Sequence, residues 1–191
     1  MSKARIYSYE LEDRILQTLA EEFGAAKIAD KFYRAIAGKG PAEIEKIGQE
    51  IFTSYGRDWM KRTMALARAH PDRTWEVLQA AAEHAGRYRF GIFPQHFLEI
   101  AYLSIQDFSS LPVKECNARR LRYQLNDCTI FKQLQARGGD QLTRLMPCRH
   151  ACLTALQTVH DELGLDATVS MPHAMVPDGY CEFVASRAET G

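Results

Sequence analysis

The apolar residues of this chain repeat at two different intervals, and the switch between them is the strongest constraint on its fold. Up to about Gly86 they recur every three or four positions, the helical interval. Beyond Arg119 a segment recurs every second position, the interval of a half-buried strand. In YELEDRILQTLAEEF, Leu11, Ile15, Leu19 and Phe23 line one helical face, and Gly24 interrupts it. AAKIADKFYRAIA resumes the pattern and closes on Gly38 and Gly40, after which Pro41 suits a first helical turn. Ile44, Ile47, Ile51, Tyr55 and Trp59 form the next stripe, which HPDR ends. TWEVLQAAAEHAG then predicts a helix with Thr74 as N-cap and Gly86 as stop.

The second part reads differently. RRLRYQLND puts Leu121, Tyr123 and Leu125 on one face and Arg120, Arg122 and Gln124 on the other, and LPVKECNA supplies a partner strand turning near Asn117. CTIFKQLQARGG predicts a short helix stopped by Gly138 and Gly139. DATVSMPHAMVPDGYCEFVAS reads as a strand, a Pro-Asp-Gly turn and a returning strand. From Phe90 to Ser110 neither period wins. The expectation is one α+β domain over residues 1–191. Its helical part, 1–87, packs on a mixed part, 88–191, where an antiparallel sheet accompanies two helices with cysteines near their N-termini.

Charge narrows the partners. Lys plus Arg and Asp plus Glu are 24 each, so nothing attracts nucleic acid or an anionic membrane globally. No run of 18 apolar residues occurs, and MSKARIYSYELEDR lacks the apolar stretch of a signal peptide, which predicts a cytoplasmic protein. Thiols stay reduced there, so five cysteines fit free, catalytic or metal-bound roles better than a disulfide framework.

Their positions are the most specific feature. On a wheel of about 100° per residue, the helix after Pro147 places Cys148, Cys152, Ala155, Leu156, Val159 and Leu163 on one face. His150, Thr154, Gln157 and Asp161 take the other, so CRHAC is not three ligands on one side. Pro147 begins a new segment, leaving Cys148 in a first turn, where free N–H groups and the helix dipole lower a thiol's pKa. Cys128 repeats this after Asn126 and Asp127, which predicts two thiols poised as thiolates. Cys181 joins them from the last strand, sharing a face with Phe183, while Tyr180, Glu182 and Val184 take the other.

His173 stands on the strand before. A tight turn on Pro177 and Asp178 sets it opposite Glu182; a bulge at Gly179 moves it toward Phe183 and Cys181. Both registers remain open at this level. So does plain packing, since free cysteine fills cores as a small hydrophobe, and Cys152 alone reads that way. Cys116 reads as structural. His84, His96 and His160 read as surface or helix-face residues, and YGRDWMKR as a stripe edge. Paired C-x-x-C knuckles, a P-loop, G-x-G-x-x-G, G-x-S-x-G and H-E-x-x-H are all missing. Cys128, Cys148, Cys152 and Cys181 as four thiolates would suit zinc or an iron–sulfur cluster if the helix and strand ends converge.

The series LRYQLNDCTIFKQLQARGG, LMPCRHACLTAL, LGLDATVSM and DGYCEF resembles the L-2-amino-thiazoline-4-carboxylic acid hydrolase-like family. The shared elements are a strand running into Cys128 and an aromatic-bearing helix, a second cysteine at Cys148, and a closing Gly-x-Cys-acidic-Phe strand from Gly179 to Phe183. They span roughly Arg119 to Ala185. The resemblance implies a cytoplasmic bacterial protein whose named relative opens a thiazoline ring by hydrolysis, releasing a carbamoylated cysteine. Two departures point to a changed substrate or an added metal. Cys152 in RHAC follows where relatives carry an acid, and His173 in SMPHAM replaces an arginine-threonine element.

Two expectations follow. In the first, the protein is a hydrolase of small cyclic C–N or C=N substrates. Cys148 or Cys128 is the nucleophile and His173, oriented by Glu182, the acid–base. Alternatively a metal on Cys128, Cys148 and Cys181 activates water. In the second, the protein is a non-catalytic small-molecule sensor or zinc or iron–sulfur module, with the N-terminal helices pairing subunits of a homo-oligomer or binding a partner. That arrangement is also similar to the 4-vinyl reductase-type binding domains.

Overall fold

Gly24 and Pro41 divide the N-terminal pattern where its breaks predict. A computed structural model of the chain describes Tyr9 and residues 11–85, 89–107 and 110–187. Helices α1 (Asp13–Phe23), α2 (Ala25–Ile36), α3 (Pro41–Ala69), α4 (Arg73–Ala85) and α5 (Arg89–Ile105) come first. Strands β1 (Val113–Cys116) and β2 (Arg120–Leu125) follow, then α6 (Thr129–Thr143) and α7 (Arg149–Glu162). Strands β3 (Ala167–His173) and β4 (Cys181–Arg187) flank a short turn at Met175–Asp178. The α+β expectation holds, and one contiguous apolar cluster runs from α1 to β4.

Helix α3 is the spine. Pro41 occupies its first turn, and its inward residues Phe52, Trp59 and Met60 are fully buried. It lies closest to α7 at Gly56, where a Cβ would meet the Ala151 carbonyl oxygen at 2.1 Å. Helix α5 explains why the Phe90–Ser110 segment shows no period. Leu98, Ala101, Tyr102 and Leu103 are all at 0% exposure, so it is enclosed on every side and needs no polar face. Phe108 and Ser109 lie outside the described residues, as does Gly86.

Two local expectations are corrected. The cap of α4 is Asp72, not Thr74: its Oδ1 accepts the Trp75 N–H at 2.7 Å, the geometry an N-cap carboxylate favours. Gly139 breaks α6 with φ 64° and ψ −171°, but the chain makes a further helical turn to Thr143 rather than stopping.

The sheet is antiparallel throughout, in the order β1-β2-β4-β3. Asn117 makes the first hairpin, its Oδ1 accepting the N–H groups of Arg119 and Arg120 at 2.8 and 2.9 Å. Across β2 and β4, Leu121 faces Ala185, Tyr123 faces Phe183 and Leu125 faces Cys181. These six buried residues form the inner face, turned toward the helices. Arg122, Gln124, Glu182 and Val184 form the outer one.

Candidate functional site

Three distant segments bring four sulfurs together on that inner side. Cys128 is the N-cap of α6, with an extended backbone; Cys148 immediately precedes α7; Cys152 stands one turn further on; Cys181 opens β4 opposite Leu125. All four are free and buried. A charge on Cys148 would feel charge on each of the other three, and Cys181 and Cys152 both feel Cys128. They lie near enough to sense one another's charge, and all four are packed within the apolar core. Each keeps 5 or 6% of its surface accessible, whereas the adjoining Ala151, Leu156, Tyr102 and Tyr123 keep none.

The surroundings are polar for a core. The Tyr102 hydroxyl stands beside the Cys152 thiol and lies 3.2 Å from the Tyr123 hydroxyl. Gln106 accepts the Thr129 N–H on Oε1 at 2.7 Å and leans its amide toward Cys128, yet Nε2 completes no hydrogen bond. The Trp59 indole N–H, on a ring 5.1 Å from that of Tyr102, also lacks a partner. Buried polar groups are nearly always paired, so two orphaned donors beside four thiols mark unused hydrogen-bonding capacity. Tyr123 was legible as an inward strand residue. Tyr102 and Gln106 had no signal, because their segment has no period.

The thiolate expectation fails. Burial pushes the Cys148 and Cys152 thiols well above the usual cysteine value, and Cys181 up to about 12. Cys128 is raised as well, although the N–H groups of Ile130 and Phe131 and the Gln106 amide pull it back. A helix end contributes about 0.3–1 kcal/mol, less than one pKa unit, whereas full burial shifts a group by up to about 3–5 units. Desolvation wins. Cys116, away from the cluster against Gly91 of α5, is pushed up to about 11 by burial and then by Glu99.

The proposed acid–base pair is on the wrong side. His173 stands opposite Glu182, the first of the two registers, but the bulge that adjusts it lies in β3 between Ser170 and His173 and not at Gly179. Gly179, at φ 80°, instead caps the Met175–Asp178 turn, which is longer than a tight Pro-Asp-Gly hairpin. Because successive strand residues point to opposite faces, Glu182 and His173 face outward while Cys181 faces in. Glu182 accepts a 2.7 Å bond from Gln124 Nε2 and lies 3.8 Å from Arg122 Nη1. His173 Nδ1 is 3.4 Å from Asp178 Oδ2, and its ring packs on Tyr180. The sheet separates His173 and Glu182 from Cys148 and Cys128.

Two histidines expected at the surface are in the core. His160 is fully buried, with Nδ1 2.8 Å from the Leu156 carbonyl and Nε2 unpaired. His96 is 1% exposed, stacks on Trp75 at 4.5 Å and leaves Nδ1 unpaired. Burial lowers both pKa values, that of His96 to about 4. A histidine that titrates lower when folded stabilises the fold fully above its unfolded value near 6.5, and the gain is lost as pH falls toward the folded value. Moving from about pH 7 to about pH 5 should therefore remove about 2 kcal/mol through His96 alone. Urea midpoints at the two pH values measure this, and His96→Phe should flatten the dependence.

No family model, curated protein or solved structure matches this chain. Among the described residues no three Cys, His, Asp or Glu side chains already stand at metal-holding separation, and no helix is long and apolar enough to cross a membrane.

Proposed function

We propose that the protein is a binding module whose site is the cluster of Cys128, Cys148, Cys152 and Cys181, and that it takes a soft metal ion or an iron–sulfur cluster. The convergence of four unpaired sulfurs from three distant segments carries this reading. Metal binding reverses the local electrostatics: a cation replaces the thiol protons and makes the buried thiolate the favoured form. The sulfurs must draw in toward it. Thiol ligands select zinc, copper(I) or iron–sulfur centres over hard cations. The unpaired Gln106 amide and the Tyr102 hydroxyl are placed to donate to the resulting thiolates, as outer partners of metal ligands do.

Anaerobically purified protein should carry near-stoichiometric zinc or iron. Labelling of Cys128, Cys148, Cys152 and Cys181 should speed up once the metal is chelated, with that of Cys116 unchanged. Cys148→Ser should lower the metal content. A metal-free protein that neither takes up zinc tightly nor assembles an iron–sulfur cluster overturns the reading.

A second reading keeps the hydrolase expectation, and one observation favours it. Cys128 is the thiol with the Ile130 and Phe131 N–H groups and the Gln106 amide drawing its pKa down, so it, and not Cys148, would be the nucleophile. Its sulfur would add to the C=N carbon of a thiazoline-type ring, a ring C–N or C–S bond would break as the leaving nitrogen or sulfur takes up a proton, and one water would then displace the Cys128 thiol to release the carbamoylated product. Turnover of 2-amino-thiazoline-4-carboxylate by the wild type, reduced on the order of a hundredfold by Cys128→Ser, supports it. Unchanged turnover in that variant sinks it.

A further inference from the structure

We propose that α4 is an acid-released flap: protonation of the buried His96 frees α4 from α5 while the rest of the fold stays closed, uncovering an aromatic patch of Phe93, His96 and Phe97. The attachment of α4 is slight. Its buried residues are Trp75 and Ala82. Among the described residues no ion pair or side-chain hydrogen bond ties Arg73–Ala85 to another element, and Gln79 bonds Glu83 within the helix. Trp75 supplies the hold, its ring 4.8 Å from that of Phe93, 4.5 Å from His96 and 5.3 Å from Phe97. The neighbouring α1, by contrast, buries Ile15, Leu16 and Leu19 and is fastened to α3 by Glu22 and Arg62.

His96 makes that hold sensitive to acid. Its ring is enclosed between Trp75, stacked at 14°, and Tyr9, edge-on at 4.7 Å. Nδ1 is buried without a partner, and the residue lines a cavity of about 10 Å³, room for one water at most. The ionisable groups sharing this cavity are Glu12 of α1, His70 at the end of α3 and Asp72 before α4. Beyond Tyr9 stand Glu99 of α5 and Cys116 of β1.

Desolvation holds the His96 pKa down to about 4, and Asp72, which favours the proton, offsets only part of it. An imidazolium in so small a slot has no water to solvate it. Lifting Trp75 admits water to the ring face and bares one large side chain, whereas opening α1 bares three. The closed form is therefore favoured fully above the ordinary imidazole value near 6.5, and that advantage is lost as pH falls toward the folded value.

The test is amide hydrogen exchange of the full chain at pH 7 and pH 5, corrected for intrinsic rates. The opening equilibrium of α4 should rise about twentyfold between the two. That opening should depend weakly on urea, because one helix exposes little surface, while α3 amides open only with the whole fold and respond steeply. His96→Phe should abolish the α4 rise, and His70→Asn should keep it. The wild-type urea dependence and the NMR titration of the His96 ring decide the matter even where a variant does not fold. A single steep opening shared by α3 and α4, an α4 indifferent to pH, a rise that survives His96→Phe or vanishes in His70→Asn, or a response centred on α1 overturns the proposal.

Discussion

Gly56→Val should destabilise the protein by about 2–3 kcal/mol, read as a lower urea midpoint. A side chain at this position meets backbone: the first added carbon would lie 2.1 Å from the Ala151 carbonyl oxygen, 2.8 Å from its carbon and 2.9 Å from its Cα. No rotamer change relieves that contact, so α3 and α7 must move apart, and overpacking of this kind costs about 1–3 kcal/mol or more. Valine's better helix propensity returns only about half a kcal/mol. Gly40→Ala is the control. Its Cβ has only the flexible Glu43 carboxylate within 4.0 Å, and its effect should stay within about 1 kcal/mol, the loss from alanine at the N-cap of α3. Because α7 carries Cys148 and Cys152, Gly56→Val should also speed native thiol labelling. A variant as stable as the wild type would show that the two helices are not held by this contact.

Trp59→Ala should be larger still, about 3–5 kcal/mol, the range for deleting a fully buried aromatic side chain. Trp59 joins α3 to α5 and is flanked by the rings of Tyr102 at 5.1 Å and Tyr55 at 5.8 Å. Truncation leaves a void that neither ring can fill without leaving its rotamer. Trp59→Phe keeps most of the ring volume. It removes the indole N–H, which is buried without a partner, and its loss should be only about 1–2 kcal/mol because a desolvated donor disappears with the lost packing. A Trp59→Phe loss well above about 2 kcal/mol would show that the indole N–H is satisfied in solution, by water or a ligand.

Much of the site was legible before any coordinates. The wheel placed Cys148 and Cys152 on the buried stripe of α7 and His150 off it; His150 indeed sits between Arg149 and Glu45 rather than among the sulfurs. Strand alternation set Cys181 and Glu182 on opposite faces, which already separated the acid from the thiols. What misled was the reading of helix starts. An N-terminal turn favours a thiolate only while solvent or a cation shares the stabilisation, and Cys148 has neither. His96 and His160 misled for a related reason: isolation in the sequence says nothing about depth, and both are enclosed by aromatic rings.

For α1–α4, α7 and the four strands the sequence by itself determined helix or strand and which way the side chains turn, because both follow from periods of two and of three to four residues along the chain. The tertiary structure alone decided that α5 is a helix at all, that the thiols are neutral, which residue caps α4 and where β3 bulges. Each of these depends on what surrounds a residue from other parts of the chain. Burial depth, and with it protonation and packing, is a property of that surrounding and leaves no period to read.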